Sequence, residues 1–232
     1  RDRKGCGFYR MLVPANEIKR QDLANVIVSD KLDEQIASWA NVIIIQRVFE
    51  PQWYELIEKL HSMGKKIVYE VDDLLTSVSP NNPAFPTFDP QGSNLGRALK
   101  IMQKCDAMQV TTDRLRNEYA LWNPVVEVLP NYLDNLLWEH PAWTATHWTN
   151  YYKRKNDGII RIGYSGANSH YNDLQLIEKV ITDICDKYPN VHFCMMGYHG
   201  QSKRGPNLFQ GISEKPCRHC NAEGQLEKID GI

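Results

Sequence analysis

The spacing of apolar positions changes period repeatedly along this 232-residue chain, and each change marks an element. Val42-Ile-Ile-Ile45 is an unbroken apolar run, which predicts a central parallel strand buried on both faces. Trp53, Leu56, Ile57, Leu60 and Met63 then follow helical spacing, with Pro51 as the start and Gly64 as the stop. Ile67-Val-Tyr-Glu-Val71, Ala107-Met-Gln-Val-Thr111 and Val125-Val-Glu-Val-Leu129 read as three more short strands. Helices are predicted over residues 95–104 and 113–121, and a Pro/Asn-rich loop over residues 76–93. Upstream, residues 8–19 read as a helix after the Gly5-Cys-Gly7 turn, bent or restarted at Pro14. Val26-Ile-Val28 reads as a short strand, and residues 32–39 as a helix with Asp30 as N-cap. Short apolar strands alternating with helices predict a doubly wound α/β domain.

The rhythm breaks over residues 130–157 and resumes with a strand at 159–163, a helix at 173–187 and a strand at 191–196 that ends at Gly197. From Gln201 onward Gly, Pro, Ser and Lys dominate, as in a loop or a disordered tail. The organisation expected is an N-terminal Rossmann-like domain at 1–135, a linker at 136–157, a partial second Rossmann-like domain at 158–200 and a tail at 201–232. Two strands and one helix make that second unit incomplete. Its opening, Arg161-Ile-Gly-Tyr-Ser-Gly-Ala-Asn-Ser-His-Tyr-Asn-Asp-Leu174, runs from strand through a Gly/Ser loop into a helix. Such a junction aims backbone N–H groups and the positive end of a helix dipole at one spot, which suits a phosphate. Gly163, Ser165 and Gly166 either permit close backbone approach to a ligand or serve a merely tight turn.

Composition narrows the function classes. Lys and Arg number 27 against 28 Asp and Glu, a formal charge of −1, so there is no global footprint for nucleic acid or an anionic membrane. No apolar run approaches the roughly 20 residues of a membrane span. The chain shows no signal peptide and begins at Arg1, which reads as a truncated or processed chain with a first strand expected ahead of Gly5. Cys6, Cys105, Cys185, Cys194, Cys217 and Cys220 form no disulfide framework, which fits a reducing, cytoplasmic setting. Cys185 and Cys194 read as small buried thiols. The single Cys217-Arg-His-Cys220 pair cannot complete a tetrahedral zinc site without two further ligands.

Loops at the C-terminal ends of parallel strands supply the candidate site. Asp72 and Asp73 directly follow a strand. As a functional pair they would orient acceptor hydroxyls, or one would act as a base beside its like-charged neighbour. The plain alternative is an N-cap and a solvated loop carboxylate. Arg10 would grip a phosphate or form a surface salt bridge. Thr111, Thr112 and Asn131 end strands and would bond a sugar, unless Thr112 simply caps the helix that follows. His170 would donate to a phosphate, act as an acid, or be a capping or solvated loop histidine. Trp138, Trp143, Trp148, Tyr151 and Tyr152, followed by Lys153-Arg-Lys155, would stack bases or sugars, sit at a membrane interface, or pin a linker onto the domains.

Several motifs together resemble the GT-B glycosyltransferases, in particular family-4-like enzymes of a bacterial and phage-associated branch. Val128-Leu-Pro-Asn-Tyr-Leu-Asp134 is similar to the segment leading into their second domain, with Tyr132 where Gly is usual. Val110-Thr-Thr-Asp-Arg-Leu115 is similar to their strand ending in hydroxyl residues, and Gly5-Cys-Gly-Phe-Tyr-Arg10 to their Gly-rich first loop. Ile162-Gly-Tyr-Ser-Gly-Ala-Asn-Ser-His170 with Asp173 is similar to the loop opening the second domain. The resemblance implies a GT-B-like pair of units, a nucleotide-sugar donor, no metal and no further cofactor, and retention of the anomeric configuration. Together with the strand-end and loop positions, it points to donor contacts at Gly163, Ser165, Gly166, Asn168, Ser169, Asp173 and Gly197 and acceptor contacts at Gly7, Arg10, Thr112 and Asn131, while position alone makes Asp72, Asp73 and His170 the candidate catalytic residues. The acceptor would be a glycan, a lipid-linked molecule or a modified nucleic acid. Two family features are missing: the Arg/Lys pair early in the second domain, where Asn168 and His170 stand, and a later Glu-x7-Glu. A non-catalytic binding or assembly module with a degenerate GT-B architecture is therefore the competing expectation, and a protein partner or a further C-terminal segment would complete the second unit. A glycosyltransferase acting on modified DNA through the Trp-rich linker is a third.

Overall fold

The apolar runs assemble into one parallel sheet whose spatial order follows the sequence. Strands β1 (Val42–Gln46), β2 (Lys66–Glu70), β3 (Ala107–Val110) and β4 (Val126–Val128) lie in the order β1-β2-β3-β4. The computed structural model describes residues 5–80, 82–133, 158–165 and 170–196. Register runs from Val42 opposite Lys66 to Gln46 opposite Glu70, then Glu70 opposite Gln109 and Val110 opposite Val128. Helices α1 (Val13–Arg20) and α2 (Glu34–Trp39) precede β1, and α3 (Trp53–Ser62) joins β1 to β2. A four-residue helix α4 (Phe85–Phe88) and the longer α5 (Ser93–Lys104) lie between β2 and β3, and α6 (Asp113–Tyr119) joins β3 to β4.

One face of the sheet carries the core. Ile43, Ile45, Ile67, Tyr69, Met108 and Val110 are buried there with Ile57 and Leu60 of α3 and Ala98, Ile101 and Met102 of α5. Each large aliphatic side chain fully removed from water contributes roughly 1.5–3 kcal/mol, so this face supplies most of the drive to fold. Tyr54 on α3 donates to the Arg97 carbonyl of α5, and Lys59 on α3 pairs with Glu34 on α2, which places these three helices side by side. Asn123, buried, fastens the end of α5 to β4. Its amide donates to the carbonyls of Met102 and Cys105, and its oxygen accepts from Val125 N–H.

Several elements differ from their sequence reading. β1 is not buried on both faces: Val42 is 53% and Ile44 42% exposed, because among the described residues β1 has a neighbour on one side only. Residues 26–28 form no strand, since no described strand pairs with them, and Ile27 is half exposed. The N-cap of α2 is Asp33, not Asp30: its carboxylate accepts from Ile36 N–H at 2.8 Å. The helix expected over residues 8–19 is restarted near Pro14, as a π-helical stretch Phe8–Leu12 running directly into α1. Proline lacks the N–H that an uninterrupted ladder would need at that point. Gly64, with φ +72°, stops α3 as expected. Cys185 is half-buried, Cys105 is buried, and both are free thiols, as is Cys6.

The chain divides into two compact units, Arg1–Val78 with Pro86–Trp138, and Ser79–Phe85 with Glu139–Ile232. The described part of the second contains β5 (Ile160–Ser165), α7 (Tyr171–Lys187) and β6 (Val191–Met196), with β5 and β6 parallel. This is the strand, helix and strand of the sequence reading. A two-stranded sheet covers only part of a 17-residue helix. Leu174 and Ile181 are buried, while Leu176 (83%) and Val180 (57%) stand exposed. The linker at 136–157, with its Trp-rich basic stretch, and the tail from 201 lie outside the described residues. No helix among the described residues is long and apolar enough to cross a membrane.

Candidate functional site

Polar side chains gather at the C-terminal ends of β1, β2 and β4, where loops leave a parallel sheet and ligands of such folds bind. Gln46 and Glu70 are register partners on the face of the sheet away from α3. Glu70 is fully buried, so its charge requires partners. Arg10, from the π-helical turn, supplies one: its Nε donates to Glu70 Oε1 at 2.7 Å. Gln46 donates to Glu70 Oε2, also at 2.7 Å. Burial raises the pKa of Glu70, and the bonds from Arg10 and Gln46 offset part of that rise.

Arg10 also donates through Nη1 to the Leu129 carbonyl and, at 3.1 Å, to Asn131 Oδ1. It is 2% exposed, which overturns the surface salt bridge as a reading of this residue. Its charge ties the N-terminal turn to β2 and to the segment after β4. Asn131, an expected acceptor contact, is engaged in holding it. Gly7 is buried ahead of the π-helical turn, with no cap to offer from a side chain.

A second cluster sits beside the first. Arg47 directly follows β1 with φ +48°, a conformation unusual for a side-chain-bearing residue. Its Nη1 lies 3.1 Å from Asp73, 3.6 Å from Asp72 and 3.4 Å from the sulfur of Cys6. Burial works against the Arg47 charge, but Asp73, Asp72 and Cys6 outweigh it and raise its pKa. Burial first, then hydrogen bonding and charge from Asp72, push the Cys6 thiol up to about 12 despite the pull of Arg47. Cys6 is thus a protonated thiol near neutral pH. One potential ligand atom from each of Cys6, Asp72 and Asp73 falls within 4.8 Å of the others. The guanidinium of Arg47 already pairs with the two aspartates and donates to the Cys6 sulfur, so a metal cation would have to displace it.

Asp72 and Asp73 are brought together, and neither caps a helix: the short 3-10 turn Leu75–Ser77 has Leu74 as its N-cap residue. Their side chains differ, Asp72 being 12% and Asp73 59% exposed. Tyr119 holds their loop from below, donating to the Asp73 carbonyl at 2.7 Å and accepting from Leu75 N–H at 2.9 Å. Burial pushes the Tyr119 phenol up to about 12, so it remains a donor. Thr111 reaches the Asp72 carbonyl at 3.5 Å. Thr112 is the N-cap of α6, accepting from Leu115 N–H at 3.2 Å, the capping role its position allowed.

In the second unit His170 precedes α7, and its Nδ1 lies 2.8 Å from Asp173 Oδ2, with both side chains largely exposed. The His170 side chain makes no cap bond. Burial and the charge of Asp173 raise the pKa of Tyr164. Ser165 ends β5. Gly163 lies within it, and a Cβ there would meet nothing within 4 Å among the described residues, so packing against those does not require glycine. Gly166, Asn168, Ser169 and Gly197 lie outside the described residues.

Sequence reasoning missed Arg47, Glu70, Cys6 and Tyr119 as parts of the site. Arg47 follows β1 as Asp72 follows β2, so the strand-end rule that selected the aspartates also selects it. Glu70 carried a signal as a charge inside an apolar strand. A shallow depression lined by His61, Gly64, Lys65, Lys66 and Asp106 lies at the opposite ends of β2 and β3 and is organised around Asp106 as an internal ion-pair acceptor. Comparison with protein-family models and with curated proteins finds no match for the chain.

Proposed function

We propose that the chain is a glycosyltransferase using a nucleotide-sugar donor, with the first unit receiving the acceptor. The observation that carries this reading is the strand-end arrangement of Asp73, largely exposed, held by Arg47 at 3.1 Å and braced through its backbone by Tyr119. Such a carboxylate accepts a hydrogen bond from an acceptor hydroxyl. As that oxygen bonds to the anomeric carbon, the bond to the diphosphate breaks, the diphosphate departs with the electron pair, and Asp73 takes the hydroxyl proton, a single displacement that inverts the anomeric carbon in place of the retention the resemblance implies. Asp72, less exposed and nearer the thiol of Cys6, is the positioning member of the pair. Arg47 supports a metal-independent site because it already supplies positive charge there. The strand–loop–helix of the second unit, with Gly163, Ser165, His170 and Asp173, is the donor side of this proposal.

The test is incubation with a panel of labelled nucleotide sugars, reading transfer, hydrolysis and binding. Absence of all three from a folded sample would sink the proposal. A second reading, a binding module without catalysis, is favoured by one observation: Arg10 is buried and donates to Glu70, the Leu129 carbonyl and Asn131 Oδ1 rather than standing open to a ligand. Calorimetry separates the two. A nucleoside diphosphate that binds while no sugar is transferred or hydrolysed supports a binding module.

A further inference from the structure

We infer that Arg47 has a second seat on Asp72 and moves to it as Asp73 takes up a proton. Arg47 is then a positioning residue for that transfer, a role that rests on the glycosyltransferase reading. The observation that carries it is an orphaned acceptor. Asp72 Oδ1 is closed off from solvent, and among the described residues no hydrogen bond reaches it. The Cys6 thiol is a weak donor, and its interaction with the Asp72 carboxylate leaves Oδ1 unbonded. Leaving a buried carboxylate oxygen without a donor is costly, and a protein retains such a cost where another state of the site relieves it. The nearest donor is Arg47 Nη1, 3.6 Å away, a distance at which an ion pair persists but a hydrogen bond does not.

The frame around this pair is fixed, and the long side chain of Arg47 is the part able to move. Arg47 N–H bonds to the Glu70 carbonyl, which anchors its backbone where φ of +48° takes it out of the strand conformation. Tyr119 bonds to the Asp73 carbonyl and to Leu75 N–H, and Thr111 reaches the Asp72 carbonyl. The backbone under both aspartates is thereby braced. Nη1 already lies 3.1 Å from Asp73, so a small swing of the side chain exchanges one seat for the other.

The exchange follows from where charge goes during transfer. At rest the two carboxylates share the Arg47 guanidinium, which sits closer to Asp73. When an acceptor hydroxyl attacks the anomeric carbon, its O–H bond breaks and the new C–O bond forms. The diphosphate leaves with the electron pair of the old bond, and the proton passes to Asp73. Asp73 is then neutral, and its charge-assisted bond to Arg47 weakens to an ordinary one. Asp72 keeps its charge, so Nη1 closes on Oδ1 and the guanidinium retains an ionised partner. Held by Asp73 alone, Arg47 would oppose protonation of that carboxylate; a second seat lessens the opposition.

Crystal structures of the Asp73→Asn and Asp73→Glu variants test this without reference to turnover. Asparagine stands in for Asp73 after it has taken the proton. Asp73 is 59% exposed, so the variant should fold, and Asp73→Ser serves the same purpose if it does not. In Asp73→Asn the Nη1–Oδ1 distance should fall from 3.6 Å to about 3.0 Å. In Asp73→Glu, which keeps the charge, Oδ1 should stay unbonded. An unchanged distance in Asp73→Asn, or a water seated on Oδ1 there, overturns the inference. So does an unsubstituted chain in which Nη1 already bonds to both carboxylates. Kinetics supply the second arm: with a sugar that is transferred, Asp72→Asn should lower kcat roughly 10-fold at unchanged KM. Full kcat in that variant, or a loss confined to KM, overturns the inference as well. If no sugar is transferred, the glycosyltransferase reading fails, and the Asp73→Asn distance still decides whether Arg47 has its second seat.

Discussion

Arg10→Met retains most of the length and apolar bulk of the side chain while removing the charge facing Glu70. Glu70 is fully buried and Arg10 is 2% exposed, so solvent cannot replace what is lost. The variant strips Glu70 of its 2.7 Å bond from Nε and leaves Gln46 as its remaining hydrogen-bond donor. It also removes the donor to the Leu129 carbonyl and Asn131. Breaking a buried pair by deleting one partner costs about 3–5 kcal/mol, a large share of the roughly 5–15 kcal/mol that holds a domain folded. The loss should depend on pH. The pKa of Glu70 already lies above its ordinary 4.5 and rises further without Arg10. A group raised in the folded state contributes stability that is present below its unfolded pKa and is lost as pH rises through the folded one. Arg10→Met should therefore be least damaging near pH 4.5 and most damaging at pH 7. Urea unfolding at both pH values measures this, and Arg10→Met with Glu70→Leu should recover most of the stability, because no lone charge is then buried. A loss below about 1 kcal/mol at pH 7, or a double variant no better than Arg10→Met alone, would refute the reasoning.

Three further outcomes follow from the same geometry. Tyr119→Phe leaves Leu75 N–H and the Asp73 carbonyl without their partner and should cost about 1–3 kcal/mol in urea unfolding, with faster exchange at the Leu75 amide. Asp106, bonded by Lys66, Ile67 N–H and His61, is held near about 2 although its partial burial opposes this. Its contribution is present above the ordinary 3.8 and is lost as pH falls toward about 2, so Asp106→Asn should lower stability at pH 6 by roughly 1 kcal/mol after solvent screening, with little effect at pH 2. Cys6, with its thiol near about 12, should alkylate with iodoacetamide at pH 8 far more slowly than a free cysteine, and Asp72→Asn should accelerate the reaction. A Cys6 rate equal to that of free cysteine would contradict the burial and charge assigned to it.

What local pattern determines was legible in the chain alone. The apolar runs of β1 to β4, the helical spacing of α3 with its Gly64 stop, and the strand–helix–strand of residues 160–196 all follow from side-chain period and turn chemistry. Asp72 and Asp73 were found because position after a parallel strand is itself a local property. The tertiary structure decided the matters that depend on distant neighbours. Whether Val42 and Ile44 are covered depends on what packs against them from elsewhere in the chain, and whether residues 26–28 form a strand depends on a pairing partner. Arg10 meets Glu70 across 60 positions and Asn131 across 121, separations at which periodicity carries no information. For the same reason Arg47 and Cys6, unremarkable in sequence, meet the two aspartates only once β1, β2 and the N-terminal turn are aligned. Burial then converts that proximity into perturbed acid–base chemistry.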